Sequence, residues 1–302
     1  MRKVTVRLPA TMTCIGPGVR ALGLALELYT TVEITERSDR QLIVDTAGEG
    51  AGHYSIGLRH PVTLALMRIF QHMERSPRGV HIRITNAVPV ASGLGAEAAF
   101  WVAGIIGANN LLGRALSREA ILQLSVHLCP QPDNAVSALL GGLSSGIMDG
   151  DRLIYRTLPV SPFSLVVVVP QIDEYPASMT PLETVPWGDA LYNLSRIPLL
   201  LEGFRTGDLS LVARMLGDRL VHPRIQSRIP GYNHVRETAR LAGALGITIS
   251  GHGPALVAFA EAHHAQIGEA MIAAFGNAGV KARAWVVPVD RQGVVISAVQ
   301  SG

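Results

Sequence analysis

The sequence predicts a two-domain α+β protein, and three observations lead to this fold class. The chain has 302 residues, more than one hydrophobic core usually organises. Apolar runs with the two-residue alternation of β-strands are interspersed with longer runs that have helical spacing. Three glycine-rich turns, at residues 16–18, 93–95 and 251–253, are spread over the chain, and this spread favours a ligand cleft between two halves.

The individual elements follow from periodicity and from capping residues. Alternating or continuously apolar segments predict strands, at residues 4–8, 80–85, 165–170, 248–258 and 282–287. Helical spacing, in one case behind a serine that can cap the helix, predicts helices at residues 98–112, 117–127, 190–204, 232–245 and 265–278.

A domain boundary is predicted within residues 150–162. A polar hairpin gives way there to the valine-rich strand at 165–170. We therefore expect an N-terminal domain of residues 1–158, which would hold the first two glycine motifs, and a C-terminal domain of residues 159–302.

Composition restricts the partners. Hydrophobic residues make up 48% of the chain and charged residues 16%, so we expect some apolar surface in a subunit interface, in a homodimer. The net charge of +3 comes without a basic run, which argues against nucleic acid and membrane as partners and leaves a small anionic ligand open. No apolar run suits a signal peptide or a membrane span, so a cytoplasmic protein is expected. Two cysteines give neither a disulfide framework nor metal-type spacing.

The stretch at residues 89–99 reads Pro-Val-Ala-Ser-Gly-Leu-Gly-Ala-Glu-Ala-Ala and predicts a phosphate-binding loop that runs into a helix. Gly93 and Gly95 can adopt positive φ and carry no side chain, so successive N–H groups and the helix N-terminus could face one anion. Glu97 suits the helix dipole but would repel a phosphate. It is therefore either a dipole-complementing carboxylate or a metal ligand. The predicted loop residues are Pro89, Ser92, Gly93, Leu94, Gly95, Ala96, Glu97 and Ala98.

Several motifs occur in a fixed order along nearly the whole chain, at residues 9–26, 93–99, 132–142, 189–196, 229–231 and 243–251. In this order they resemble the GHMP small-molecule kinases, in the form found in homoserine kinases. The resemblance implies an N-terminal domain with a left-handed βαβ crossover and a ferredoxin-like C-terminal domain. It also implies ATP and Mg²⁺ as cofactors and phosphoryl transfer to the hydroxyl of a small metabolite, from homoserine to O-phosphohomoserine, in threonine biosynthesis.

By this resemblance, Asp133 and Asn134 contact the transferred group or its acceptor. Asn134 cannot accept a proton, so transfer would depend on positioning and charge neutralisation. Asp133 could instead cap the helix that begins at Asn134, and the histidine at 252 could be a simple turn residue. The substrate-binding residues implied are Cys14, Arg20, Arg224, Gly251, His252 and Gly253.

The chain departs from the resembled pattern where the chemistry should be. Where the resembled enzymes have two serines in the phosphate loop, this chain has Ala96 and Glu97. The glutamate that completes their metal site is replaced here by Cys129. The resembled enzymes hold the amino acid with an asparagine and an acidic residue. In this chain the corresponding positions are Cys14 and Arg20. Since Mg²⁺ prefers hard oxygen ligands, its site is either rebuilt, with Glu97 as the ligand, or absent. Both cysteines are most simply small buried apolar residues.

Two functions from different classes follow. The first is an ATP-dependent kinase that acts on homoserine or on an anionic analogue better matched to Arg20. The second is a catalytically inactive homologue that binds a nucleotide or a small acid as a regulator. Another transferase that uses a phosphorylated donor stays open as a third. Removal of the Glu97 carboxylate would distinguish the first two, because it would abolish metal-dependent turnover in a kinase and strengthen nucleotide binding in an inactive homologue.

Overall fold

The computed structural model describes residues 2–129, 131–173, 175–176 and 182–300. Among these residues no helix is long and apolar enough to cross a membrane. The described elements, in chain order, are β1 (Arg2–Ile15), β2 (Gly18–Glu36), β3 (Leu42–Gly48), α1 (Pro61–His72), β4 (Val80–Asn86), α2 (Ala96–Leu111), α3 (Arg118–Leu128), α4 (Pro132–Leu140), β5 (Leu143–Asp149), β6 (Arg152–Leu158), β7 (Ser164–Pro170), α5 (Trp187–Thr206), α6 (Leu209–Met215), α7 (His222–Gln226), α8 (Tyr232–Leu241), β8 (Gly246–Ile249), β9 (Leu256–Phe259), α9 (His264–Asn277), β10 (Ala282–Pro288) and β11 (Val295–Gln300).

The larger sheet belongs mainly to the N-terminal half. Its strands run in the order β11-β1-β2-β4-β3, and β5 pairs with β2 and with β6. β3 and β4 are parallel and are joined through α1, as a βαβ unit requires. Helix α2 is buried on nearly all sides and packs against α1 and β1. A helix that is apolar all round is typical of a protein core, so the N-terminus of α2 is rigidly placed.

The smaller sheet forms the C-terminal half. Its order is β10-β7-β9-β8 with all pairs antiparallel, and the connection β7-helices-β8-β9-α9-β10 is the ferredoxin-like arrangement that the resemblance implies. The central strand β7 is covered on both faces, as predicted. Leu165, Val167 and Val169 pack toward α5 and α6, whereas Val166 and Val168 pack toward α8 and α9.

The hydrophobic cluster around Leu165, Val167 and Val169 of β7 joins the two halves. It combines residues of the C-terminal sheet with Met12, Leu24 and Leu94 of the N-terminal half. The α+β class with two sheets is therefore confirmed. The boundary predicted at residue 158 falls between β6 and β7, although β11 returns to pair with β1. The N-terminal sheet thus includes the last strand of the chain, which covers an otherwise open edge.

Local periodicity located eight elements to within a few residues, namely β4, β7, β10, α2, α3, α5, α8 and α9. Of the long strand pair that begins the chain it predicted only residues 4–8. β1 extends to Ile15 and β2 covers 19 residues, so the first glycine motif lies in a hairpin. The strand predicted at 248–258 is a hairpin of β8 and β9, whose turn holds the third glycine motif. The elements that were not predicted are β3, α1, β5, α6, α7 and β11.

Candidate functional site

A cavity of about 550 Å³ lies where the β1–β2 hairpin, the loop before α2, the N-terminus of α4 and the β8–β9 turn meet. These elements come from both halves of the chain, as the spread of the glycine motifs predicted. Most of the predicted site residues line it, namely Cys14, Arg20, Pro89, Ser92, Gly93, Leu94, Gly95, Ala96, Glu97, Asp133, Asn134, Gly251, His252 and Gly253.

The loop before α2 holds its carbonyl groups away from the cavity. The Leu94 carbonyl accepts the N–H of Thr11 at 3.0 Å, and the Ser92 carbonyl accepts the N–H of Ala255 at 2.9 Å. The Gly93 carbonyl accepts the hydroxyl of Ser250 at 2.7 Å. Among the described residues, none accepts a hydrogen bond from the backbone N–H groups of residues 93 to 97. The loop therefore keeps a row of donors for a ligand.

Glycine is required in this loop by both conformation and space. Gly93 has φ +85, and a Cβ there would lie 2.3 Å from the Ser250 carbonyl oxygen. Gly95 has φ +75, and a Cβ there would lie 2.0 Å from the Thr11 hydroxyl oxygen. Gly95 also precedes α2 and offers no side chain to cap it. The first turn of α2 thus has unpaired donors beside its positive dipole end, which is how helices bind anions.

Glu97 lies in the first turn of α2 and lines the cavity. Its charge reaches Tyr54 and Cys129, where it adds to the effect of burial in raising the pKa of both groups. Burial is the main cause and raises the pKa of the Cys129 thiol to about 12. This thiol is bonded to the backbone of Gln131 and does not line the cavity. Cys129 is thus a neutral buried residue, as its simpler interpretation predicted.

The carboxylates at this end of the cavity are those of Glu97 and Asp133. No group of three or more histidine, cysteine, aspartate or glutamate side chains in the described ranges could hold a metal by itself. Mg²⁺ in kinases is commonly held by one or two carboxylates, substrate phosphates and water, without a dedicated protein cage. Glu97 beside the phosphate loop fits that donor set, whereas the protonated thiol of Cys129 does not.

Asn134 is oriented by a residue that sequence reasoning missed. The buried Thr11 donates its hydroxyl hydrogen to Asn134 Oδ1 at 2.7 Å, and Gly95 leaves the space in which the two side chains meet. The amide oxygen of Asn134 thus accepts from Thr11, and its Nδ2 group donates to Gln131 Oε1 at 3.4 Å, which leaves one N–H of the amide for a ligand. Asp133 lies in the first turn of α4, which begins one residue earlier, and accepts the N–H of Asn134 at 3.1 Å.

Cys14 and Arg20, from the β1–β2 hairpin, line another part of the cavity, here called the Cys14 end. Both are non-glycine residues in the left-handed region, each with φ +53, and the Cys14 sulfur faces the backbone N–H of Arg20. Burial, with a smaller effect of Asp133, raises the pKa of the Cys14 thiol to about 11. The Arg20 side chain is exposed at the cavity. Strained backbone of this kind is enriched at functional sites.

Asp218 lies close enough to influence Cys14 but has no capacity left for a ligand. Its two oxygens accept hydrogen bonds from the Asn193 amide and from the backbone N–H groups of residues 220, 221 and 222. Burial lowers the pKa of the adjacent His222, which stays neutral against this carboxylate. The Cys14 end of the cavity therefore presents a neutral thiol and one arginine, with the Asp133 carboxylate close enough to act on the thiol.

The structure places two predicted residues outside the cavity. Ala98 is fully buried in the N-terminal core, since helix α2 turns its side chain away from the loop. Arg224 lies on α7 and does not line the cavity. Conversely, His53 and Tyr54, from the connection between β3 and α1, line it although no sequence pattern singled them out.

Tyr175 is a further lining residue that the sequence did not indicate. Its hydroxyl donates to the His252 carbonyl at 2.7 Å, and a Cβ on Gly253 would lie 2.4 Å from the same hydroxyl. Burial raises the pKa of Tyr175 to about 12, so the hydroxyl keeps its proton. Tyr175 thus fixes the β8–β9 turn over the cavity, and Gly253 is needed for this approach.

Comparison with known proteins gives a consistent result over the whole chain. Residues 62–149 match the GHMP kinases N terminal domain, and residues 200–278 match the GHMP kinases C terminal domain. A homoserine kinase of Moorella thermoacetica is 38% identical over 280 residues, covering 91% of this chain and 94% of the relative. A homoserine kinase of Carboxydothermus hydrogenoformans is 34% identical over 295 residues, covering 97% and 96%.

Solved structures agree with the sequence relatives. The crystal structure of a homoserine kinase from Cytophaga hutchinsonii superposes with a TM-score of 0.83 at 25% identity, covering 98% of this chain and 97% of the other. An L. major mevalonate kinase in complex with R-mevalonate has a TM-score of 0.69 at 17% identity, which shows a shared fold alone.

Proposed function

Because the chain belongs to the GHMP kinase family, we propose that it is an ATP-dependent phosphotransferase that acts on the hydroxyl of a small metabolite, with homoserine and O-phosphohomoserine as substrate and product by similarity to its relatives. The observation that carries this proposal is the row of uncommitted N–H groups at residues 93 to 97, which open on the cavity at the positive end of α2. Such a row suits the phosphates of a nucleotide.

The phosphate loop supplies most of the binding. Its N–H groups donate to phosphate oxygens, and the carbonyl bonds to Thr11, Ser250 and Ala255 prevent the peptide planes from turning over. Mg²⁺, when bound, neutralises phosphate charge, and Glu97 is the residue that would hold it, with Asp133 as the second carboxylate of the cavity. Without a cation, the carboxylate of Glu97 would repel the phosphates of the nucleotide. A cation bound between them would replace this repulsion by attraction to both.

Phosphoryl transfer in this site depends on position. The hydroxyl oxygen of the acceptor forms a bond to the γ-phosphorus as the bond to the β–γ bridging oxygen breaks, and the hydroxyl proton passes to a phosphoryl oxygen or to water. Asn134 cannot take this proton, since a neutral carboxamide is not a base, and Thr11 holds its amide oxygen in place. Its Nδ2 group can donate to the acceptor hydroxyl or to the transferred group, and so orients them.

The charges at the Cys14 end favour a second candidate acceptor. An exposed arginine at position 20 attracts a carboxylate and repels an ammonium group, and the neighbouring thiol is neutral. Asp218 is saturated by internal hydrogen bonds. A hydroxy acid without an ammonium group therefore fits this end better than an amino acid, although Asp133 could still pair with an ammonium group.

The test combines binding and turnover. Thermal-shift titration with ATP, with and without Mg²⁺, should raise the melting temperature, because a ligand that binds the native state stabilises it. ADP release is then measured with L-homoserine, 4-hydroxybutyrate and other small hydroxy acids. Turnover of any of them supports a kinase, and their ranking identifies the acceptor. Stabilisation without turnover would favour the inactive homologue, and no stabilisation by any nucleotide would overturn both.

A further inference from the structure

An ion pair outside the cavity joins the two halves of the chain. Arg283, on β10 of the C-terminal sheet, donates to both carboxylate oxygens of Glu49, from Nη1 to Oε1 at 2.6 Å and from Nη2 to Oε2 at 2.8 Å. Glu49 is the first residue after β3 of the N-terminal sheet. Such two-pronged pairing fixes direction as well as distance, because both groups are planar. These hydrogen bonds also lower the pKa of Glu49, so its carboxylate stays ionised at neutral pH.

The position of Arg283 follows from the alternation of side chains along β10. Arg283, Trp285 and Val287 point to the same face, because successive residues of a strand point to opposite faces. Val287 is buried in the hydrophobic cluster that joins the two halves, and Trp285 packs against that cluster. The Arg283 guanidinium lies 5.0 Å from the centre of the Trp285 ring. The arginine is therefore held at the edge of the contact between the halves, with its charge against Glu49.

The backbone of Glu49 is in turn bonded to the end of β4. Its N–H donates to the Asn86 carbonyl at 2.7 Å, and its carbonyl accepts from Asn86 Nδ2 at 2.9 Å. Asn86 is buried, and its Oδ1 accepts from the Thr30 hydroxyl at 2.7 Å and from the Val88 N–H at 2.9 Å. Val88 belongs to the loop before α2. Glu49 therefore connects Arg283 to the strand end from which that loop begins.

The glycines on either side of Glu49 allow this close packing. A Cβ on Gly48 would lie 2.2 Å from the Asn86 carbonyl oxygen, and a Cβ on Gly50 would lie 2.5 Å from Val90 Cγ1. Both glycines have positive φ, which turns the chain away from β3. The N–H groups of residues 51 and 53 close the turn on the carbonyls of residues 48 and 50, at 3.2 and 2.9 Å. This turn, at residues 48–53, leads directly to the part of the connection that lines the cavity.

The rest of the connection to α1 is more exposed, apart from one ring. Ile56 and Leu58 are 70% and 63% exposed. By contrast, the Tyr54 ring lies edge-on to Phe100 of α2, with ring centres 5.6 Å apart, and the charge of Glu97 acts on the tyrosine. Tyr54 thus lies beside the first turn of α2, where the nucleotide phosphates are proposed to bind. Its place depends on the turn that Glu49 anchors.

We propose that Arg283 is a positioning residue for the nucleotide: through Glu49 it holds the turn at residues 48–53, and with it His53 and Tyr54, beside the first turn of α2. The identity of the ligand rests on the proposed kinase function. Arg283 does not line the cavity, so its effect is on ligand affinity and not on the chemical step. Loss of a half-exposed, two-pronged pair of this kind changes an equilibrium by about five-fold.

Removal of either partner tests the pair. Arg283→Met and Glu49→Gln should each raise Kd for ATP, measured by calorimetry with Mg²⁺, by about five-fold, with kcat and KM for the acceptor unchanged. The Glu49 variant is the sharper test, because loss of a negative charge would by itself strengthen the binding of an anion. The double variant should bind no more weakly than either single variant, since both remove one interaction. Additive effects, unchanged Kd or a loss confined to kcat would overturn the proposal.

The matched control is Arg240→Met. Arg240 forms the same two-pronged pair with Glu237 on α8, and neither residue lines the cavity. Its substitution removes the same positive charge as Arg283→Met and should leave Kd for ATP unchanged. An equal rise of Kd in this variant would show a general effect of net charge and contradict the assignment to Arg283.

Amide exchange distinguishes failure of this proposal from failure of the proposed function. In the protein without ligand, hydrogen–deuterium exchange of residues 50–60 should be about five-fold faster in Arg283→Met and in Glu49→Gln than in the wild type. Equal exchange in all three proteins would refute the positioning role. If the wild type bound no nucleotide, the kinase function and the ligand named here would fail together, and the exchange rates would still decide whether Arg283 holds the turn.

Discussion

The two ends of the cavity are built in different ways. At the proposed phosphate end, the groups that face a ligand are backbone N–H groups. Gly93 and Gly95 are required there, because a Cβ would lie 2.3 Å and 2.0 Å from neighbouring oxygen atoms. At the acceptor end, the side chains of Cys14 and Arg20 face the cavity from a strained strand connection. Backbone donors are independent of residue type, whereas side-chain charge changes with one substitution. We therefore expect the phosphate end to set the phosphoryl donor and the acceptor end to set the specificity for the acceptor.

The largest effect is expected from breaking the phosphate end. Gly93→Ala places a Cβ against the Ser250 carbonyl at a φ that alanine disfavours, so the loop must move and its N–H groups lose alignment. We expect kcat/KM for ATP to fall by about 100- to 1000-fold. Calorimetric titration with ATP measures the binding part. Gly276→Ala, on α9 where no atom lies within 4 Å, should have no such effect, and equal losses in both would refute the argument.

Glu97→Gln tests whether the Glu97 carboxylate holds a metal ion at the phosphate end. Loss of the proposed metal ligand should lower kcat by about 100-fold and shift the Mg²⁺ dependence to higher concentration. The matched control is Glu119→Gln, because Glu119 is also a first-turn carboxylate but is exposed and belongs to α3, away from the cavity. If the Glu97 variant instead bound nucleotide more tightly and the wild type had no turnover, the inactive homologue would be the better description.

Arg20→Asp sharpens the comparison at the acceptor end. Reversal of this charge should shift the ratio of kcat/KM for L-homoserine to that for 4-hydroxybutyrate by about 30-fold in favour of homoserine. ADP release with both acceptors gives the ratio, and KM for ATP serves as the internal control. An unchanged ratio would show that Arg20 does not face the substrate.

A smaller effect is expected from loss of the hydrogen bond between Thr11 and Asn134. Thr11→Val leaves the buried Asn134 amide oxygen without a donor, which costs about 1–3 kcal/mol and frees the amide to turn. We expect kcat to fall by about 10-fold with little change in KM for ATP, because the Thr11 N–H still holds Leu94. Thr11→Ser should restore kcat. A loss of stability without a loss of kcat would assign Thr11 a structural role alone.

The smallest effect concerns pH and the Cys14 thiol. Its pKa is raised from an ordinary 9.0 to about 11, so the folded thiol stays neutral while the unfolded thiol ionises. The stabilisation is complete below pH 9 and is lost as pH rises from 9 to 11. Relative to Cys14→Ala, the wild type should lose about 1 kcal/mol of unfolding free energy between pH 8 and pH 10. Urea titrations of both proteins at each pH measure this difference. The same pH dependence of the unfolding free energy in both proteins would contradict it.

Much of the site could be predicted because its signals are local. The loop at 92–97 combines glycines, a helix start and a carboxylate within six residues, and the structure places all of them around one cavity. Ala98 belongs to the same local pattern, but the helical turn rotates its side chain into the core. His53 and Tyr54 could not be predicted, because a loop between β3 and α1 brings them to the cavity without any pattern of its own.

The sequence by itself determined the fold class and the glycine loop that precedes α2, because periodicity, glycine positions and helix starts act over a few residues. Tertiary structure alone decided which groups are free to bind. Thr11 and Asn134 are 123 residues apart in the chain, and only their contact settles which atom of the amide remains a donor. In the same way, only the hydrogen bonds around Asp218 show that this carboxylate is already satisfied. Hydrogen-bond satisfaction depends on distant partners, and no local pattern records it.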